Sequence, residues 1–257
     1  MIYYKTNGSS KSDRLLVCIH GLTATHDMFT DFIRELNIED LFIISPDLRG
    51  CGGSIDLEGE FNINESVDDV KEILDLYETH SIILLGYSQG GTMAQLFVKK
   101  YPDRISGLIL CNTYAYNVAT FREIIETYIT LLIFCLFSLR TISNLLTRII
   151  KKEKQITDRQ IEDFRQMVRT NKKKAIIAYA KQLITFDSRS WLNELHQPCL
   201  IIRGQNDIAV PLHHTNMLSN SIPNSRTIIM ENAGHAMIWS HTKQLAKAVR
   251  DNYSFLN

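Results

Sequence analysis

Short apolar runs alternate along the chain with longer stretches whose apolar positions recur at helical spacing. The runs lie at 15–19, 41–45, 82–85, 108–111, 200–202 and 227–230. Each is nearly continuous in apolar residues, which predicts strands buried on both faces, as in a parallel sheet. Residues 27–37, 65–79, 89–100, 213–221 and 241–253 predict the helices between them. Such alternation implies βαβ units and an α/β fold with a mostly parallel sheet flanked by helices. Residues 2–6 predict an antiparallel edge strand. After Asn112 the alternation stops, and from about 119 to 195 the pattern is helical throughout. This predicts a core formed by 1–112 and 196–257, carrying a helical cap at 113–195. Four cap helices are expected, with Thr157 or Asp158 capping the third and Asn171 the fourth.

One cap segment breaks the amphipathic pattern. Residues 128–139 carry no charge, and Glu126 and Arg140 close the run on either side. A spanning helix needs roughly 20 apolar residues, so no transmembrane span is expected. A helix apolar on all sides is buried or meets lipid. The expectation is that one side packs on cap helices and the other lines the substrate pocket; the alternatives are burial of both sides against protein and a helix lying at a lipid interface.

Length and composition fit a single soluble domain: 257 residues, 45% hydrophobic and 22% charged. Twenty-eight basic residues balance twenty-eight acidic ones, which leaves no global argument for nucleic acid or an anionic surface. The balance is not local, however. Residues 121–190 hold fourteen Lys/Arg against seven Asp/Glu, an excess of seven, so the remainder carries the opposite excess. Solvated helix faces account for that; the sharper reading is a basic cap that docks an acidic partner. The five cysteines, Cys18, Cys51, Cys111, Cys135 and Cys199, form no CxxC pair and read as small hydrophobes in a reducing, cytoplasmic compartment. The N-terminus lacks a basic segment followed by an apolar one, so no secretory signal is expected.

The strongest chemical signal is Gly86-Tyr87-Ser88-Gln89-Gly90-Gly91, directly after one predicted strand and opening a helix. A serine hydroxyl attacks only when held exposed beside a base. A sharp strand-to-helix turn exposes it and crowds the backbone, and Gly86 and Gly90 relieve that crowding. Tetrahedral oxyanions need two backbone N–H donors. Gln89, after the nucleophile, and Leu22, in the Cys18-Ile19-His20-Gly21-Leu22 segment, are the candidates for the oxyanion hole. His20 is assigned a structural role as a ring that fixes this loop. Asp207, in Arg203-Gly204-Gln205-Asn206-Asp207, and His235, in Ala233-Gly234-His235-Ala236, each follow a late strand. Catalytic groups of open parallel sheets sit at strand carboxyl ends. Ser88 therefore reads as nucleophile, His235 as general base and acid, and Asp207 as the group that orients it.

Together these segments resemble the α/β-hydrolase superfamily across essentially the whole chain. The Asp47-Leu48-Arg49-Gly50-Cys51-Gly52-Gly53-Ser54 loop and Tyr101-Pro102-Asp103-Arg104 match in order as well. The branch most similar is that of small capped serine esterases, enol-lactonases and carrier-protein methyl esterases. That resemblance implies an α/β-hydrolase fold, a helical cap over the pocket and no cofactor. It also implies a serine hydrolase that cleaves a carboxylic ester, thioester or lactone through an acyl-enzyme; the apolar acyl part is expected from the uncharged run at 128–139. The alternatives are a C–C bond hydrolase or lyase on the same triad, for which Arg122, Arg165 and Arg169 could hold the substrate, and a hydrolase-derived small-molecule sensor. Serine at the elbow excludes the aspartate-nucleophile dehalogenases and epoxide hydrolases. No metal-ligand spacing occurs; the adjacent pair His213-His214 is expected to be a poor chelate.

Overall fold

The computed structural model describes residues 1–77, 81–116 and 120–256. Seven strands form one sheet: β1 (Tyr4–Asn7), β2 (Arg14–Ile19), β3 (Phe42–Pro46), β4 (Ser81–Tyr87), β5 (Gly107–Cys111), β6 (Cys199–Gly204) and β7 (Ser225–Met230). Their order across the sheet is β1-β3-β2-β4-β5-β6-β7. Among the described strands of this sheet only the β1–β3 pairing is antiparallel, with Tyr4 opposite Pro46. The remaining pairings are parallel. Central strands β4 and β5 are almost wholly buried, as their apolar runs require. β7 departs from that expectation: it is an edge strand, and Thr227 and Ile229 are exposed.

The sheet helices are α1 (Thr30–Leu36), α2 (Ile63–Leu74), α3 (Gln89–Lys100), α8 (Leu212–Ser221), α9 (Met237–Ser240) and α10 (Thr242–Asp251). A 3₁₀ turn at His26–Phe29 takes the first part of the predicted 27–37 helix. α2 starts two residues earlier than predicted, because the Asn62 side chain accepts from Glu65 N. It ends at Leu74, and Thr79, its expected end, lies outside the described residues. Two apolar layers cover the sheet, one holding Phe97, Val67 and Ile73, the other Phe29, Phe32 and Leu245.

Between β5 and β6 the chain forms four helices: α4 (Phe121–Leu136), α5 (Leu139–Ile150), α6 (Asp158–Arg169) and α7 (Lys173–Thr185). Thr157 caps α6 in a capping box with Gln160. Asn171 does not cap α7, whose N-cap is Lys172. Its amide is buried and donates to the carbonyls of Thr23 and Met167, tying the insertion to the loop after β2. Arg159 reaches across to Asp31 at 2.6 Å. The largest change from expectation is α4. Phe134 is buried, but Tyr128, Ile129, Leu132 and Leu136 are 52–68% exposed. The uncharged run therefore does not turn those side chains toward a pocket.

Candidate active site

Ser88 sits between the last residue of β4 and the first of α3, at φ 54° and ψ −118°. Non-glycine residues rarely adopt such angles; the surrounding packing holds the strain and lifts the side chain off the backbone. The flanking glycines are obligatory. A Cβ on Gly86 would lie 2.4 Å from the Gly90 carbonyl oxygen, and one on Gly90 would lie 2.0 Å from that of Ile19.

The three residues singled out at strand ends converge. His235 Nε2 lies 3.2 Å from Ser88 Oγ, and its Nδ1 lies 2.8 Å from Asp207 Oδ2. The other Asp207 oxygen accepts from the N–H groups of Ala209 and Val210 at 2.8 and 2.9 Å. Asp207 is buried and can turn neither oxygen elsewhere without losing these bonds. Its contact with Nδ1 selects the tautomer whose Nε2 lone pair faces serine.

Gly21 packs directly on the elbow, where an added Cβ would stand 3.2 Å from that of Ser88. Leu22 thus follows a residue that touches the serine. Gln89 is the first residue of α3, where a helix leaves its N–H groups unpaired. His20 has the geometry of a loop clamp: Nε2 accepts from Leu48 N at 3.1 Å, and Nδ1 lies 2.9 Å from Gly21 O. Burial pushes its pKa below the ordinary value, so the ring stays neutral. Asp47 is buried in the same way, accepting from His26 N and Gly53 N at 2.7 Å each.

Three residues that the motifs did not single out hold His235. Tyr87 donates its hydroxyl proton to His235 O at 2.6 Å. The Asn112 amide donates to the carbonyls of Gly234 and His235, and its oxygen accepts from Gly204 N, joining the ends of β5 and β6 to this loop. Glu153, from the turn between α5 and α6, accepts from Ala236 N at 2.7 Å, Gly234 N at 3.3 Å and Ser240 Oγ at 2.9 Å. Gly234 leaves the space this carboxylate fills, since a Cβ there would meet Glu153 Oε1 at 2.5 Å.

Burial lowers the His235 pKa, but the Asp207 carboxylate, with Glu153 behind it, outweighs that and raises it above 6.5. A histidine read as general base works only when neutral. kcat/KM is therefore expected to fall as pH drops through a value above 6.5. Glu153→Gln removes one of the charges that raises it, so the acidic limb should move to lower pH. The same variant should lose on the order of tenfold in kcat through a displaced loop. An unmoved limb would reduce Glu153 to a purely structural role.

The arginines considered for a polar pocket point to other work. Arg122 pairs with Glu126 in solvent, Arg165 pairs with Glu162, and Arg169 Nε donates to Ser143 Oγ. The His213-His214 pair also differs from expectation. Both rings are carried by the first turn of α8, where Cα–Cβ bonds tilt toward the helix N-terminus. Their centroids come within 4.1 Å, and the two Nε2 atoms lie 3.0 and 3.5 Å from Glu123 Oε1. Burial, with His213 beside it, pushes the His214 pKa down to about 4. Among the described residues, these three are the group able to hold a metal ion, and they link α8 to α4. A surface cavity of about 310 Å³ is lined by Lys5, Asp27, Arg159 and Trp239 among others and by none of Ser88, Asp207 or His235.

A Bacillus subtilis relative named for 2-succinyl-6-hydroxy-2,4-cyclohexadiene-1-carboxylate synthase is 33% identical over 113 residues, 43% of this chain and 40% of that protein. A poly(3-hydroxyalkanoate) depolymerase of Ectopseudomonas oleovorans is 23% identical over 91% of this chain and 82% of its own. An esterase from Exiguobacterium antarcticum superposes with a TM-score of 0.83 at 20% identity, over 99% of this chain and 95% of that one. The family model described as alpha/beta hydrolase fold matches residues 14–133 and 136–242. With the sheet order, the elbow and this match in place, the chain belongs to the alpha/beta hydrolase fold family.

Proposed function

We propose that this hydrolase cleaves a carboxylic ester, thioester or lactone through an acyl-enzyme on Ser88. The observation that carries the reading is the hydrogen-bonded line from Ser88 Oγ through His235 to Asp207 Oδ2, with the serine on a strained turn. His235 takes the serine proton as Oγ attacks the carbonyl carbon, and the oxyanion is received by the N–H groups of Leu22 and Gln89. The same imidazole then gives the proton to the leaving alkoxide or thiolate. Water, deprotonated by His235, attacks the acyl-enzyme; the acyl–Oγ bond breaks, the imidazolium returns the proton to Ser88 Oγ, and the acid leaves. No step calls for a cofactor. Helices α4 to α7 serve as the cap, braced on the core by Arg159 and Glu153.

The expected apolar acyl group has lost its first support, because the uncharged α4 run faces outward over most of its length. Substrate length is therefore decided by measurement: p-nitrophenyl esters from acetyl to dodecanoyl, with a thioester and a lactone beside them. Steady multiple turnover on at least one class is expected. An apolar acyl site would show as a rise of up to about fourfold per added methylene. Absence of turnover on every class, with a thermal shift from small ligands alone, would overturn hydrolysis in favour of a sensor. The second reading is a C–C bond hydrolase or lyase on the same three residues, which would leave esters uncleaved; the partial match to a relative named as a synthase keeps chemistry other than ester hydrolysis in the test.

A further inference from the structure

We infer that the outer face of α4 docks this protein onto an anionic phospholipid surface. Phe121, Ile124, Ile125, Tyr128, Ile129, Leu132 and Leu136 are all exposed. At 100° per residue they fall within an arc of roughly 140°, opposite the buried Glu123 and Phe134. Phe137 extends the apolar ridge past the helix end. Soluble proteins rarely leave so continuous an apolar patch in water without a partner for it.

Charge selects the partner. Of the fourteen basic residues in 121–190, only Arg122, Arg159, Arg165 and Arg189 form ion pairs among the described residues. The other ten are uncompensated. Lys173 donates to the Cys135 carbonyl, which sets the start of α7 beside the end of α4. Exposed Lys174 follows it, and exposed Arg140 lies four residues beyond Leu136. An apolar ridge ending in free cations fits acyl chains below and anionic headgroups around. A second copy fits poorly, since two caps of the same sign would meet. α4 has 16 residues, and no helix among those described is long and apolar enough to cross a membrane. The helix therefore lies in the interface plane.

The test is vesicle sedimentation of the Ser88→Ala chain, which separates binding from hydrolysis. Vesicles of phosphatidylcholine with 30% phosphatidylserine should carry the protein down, and phosphatidylcholine alone should bind it more than tenfold more weakly. Arg140→Glu with Lys174→Glu should weaken anionic binding at least tenfold, given about fivefold per cation near such a surface. Ile129→Asp with Leu132→Asp should abolish it. Both sites are exposed, so circular dichroism and turnover of a soluble ester in the Ser88 background should be unchanged. The proposal is overturned if anionic vesicles leave the protein in solution, or if the double aspartate variant binds like its parent. It is equally overturned if that variant instead dissolves a concentration-dependent dimer or releases an acidic protein partner. Failure here leaves the hydrolase reading standing, because the readout uses no substrate.

Discussion

Ser88→Ala is expected to lower kcat by about 10⁴-fold or more while the fold persists. Among the described residues the serine hydroxyl hydrogen-bonds to His235 at 3.2 Å, so little structure depends on it. Alanine keeps the Cβ that packs against Gly21, and it meets the same φ of 54° with the same strain. A melting temperature within a few degrees of the parent is the control. Ser88→Gly should be more stable than the alanine variant by on the order of 1 kcal/mol, since glycine tolerates positive φ. A fluorophosphonate should attach to the parent at Ser88 and leave both variants unmodified. Labelling at another serine, or turnover surviving in Ser88→Ala, would sink the nucleophile assignment.

Asp207→Asn should cost nearly as much, on the order of 10³–10⁴ in kcat, for a different reason. The carboxylate has two separate duties here. One oxygen accepts from Ala209 N and Val210 N, and asparagine can keep that by turning its carbonyl oxygen there. Its NH₂ then faces His235 Nδ1 at the 2.8 Å position. A donor facing Nδ1 forces the proton onto Nε2, where it points at Ser88 and removes the lone pair that should take the serine proton. The positive charge that forms on the ring also loses its counter-charge. The variant should keep its stability and its fluorophosphonate site but react slowly. Full activity in Asp207→Asn would mean that another carboxylate, with Glu153 the first to test, orients the base.

Much of this was readable before any coordinates. The five buried strands β2 to β6 announced themselves because a parallel sheet covered on both faces needs uninterrupted apolar runs, and the edge strand β7 carries a similar run although it is partly exposed. The elbow was readable because its chemistry is local: strand, Gly86, Ser88, Gly90 and helix fall within a few residues, and each glycine answers a clash from a neighbour in that turn or in β2. Asp207 and His235 could be placed because the scaffold sets catalytic groups at strand ends in a known order. The supporting residues had no such signal. Tyr87, Asn112 and Glu153 meet the His235 loop across separations of 148, 122 and 81 positions, and no pattern along the chain records those meetings. Asn171 misled for a related reason. Its type suits a helix cap, but a buried carbonyl on Thr23 competed for its amide and won.

The sequence by itself determined the fold class and the order of strands and helices along the chain, and it picked out Ser88, Asp207 and His235, which the fold brings into one hydrogen-bonded line. Each of those follows from periodicity or from residue types fixed by local backbone geometry. Tertiary structure alone decided which way α4 faces and what braces the histidine. A helix that is amphipathic declares its buried side through the phase of its pattern. Residues 128–139 have no charge and hence no phase, so only packing against α5 and α7 could choose which apolar side chains were covered and which were left to solvent.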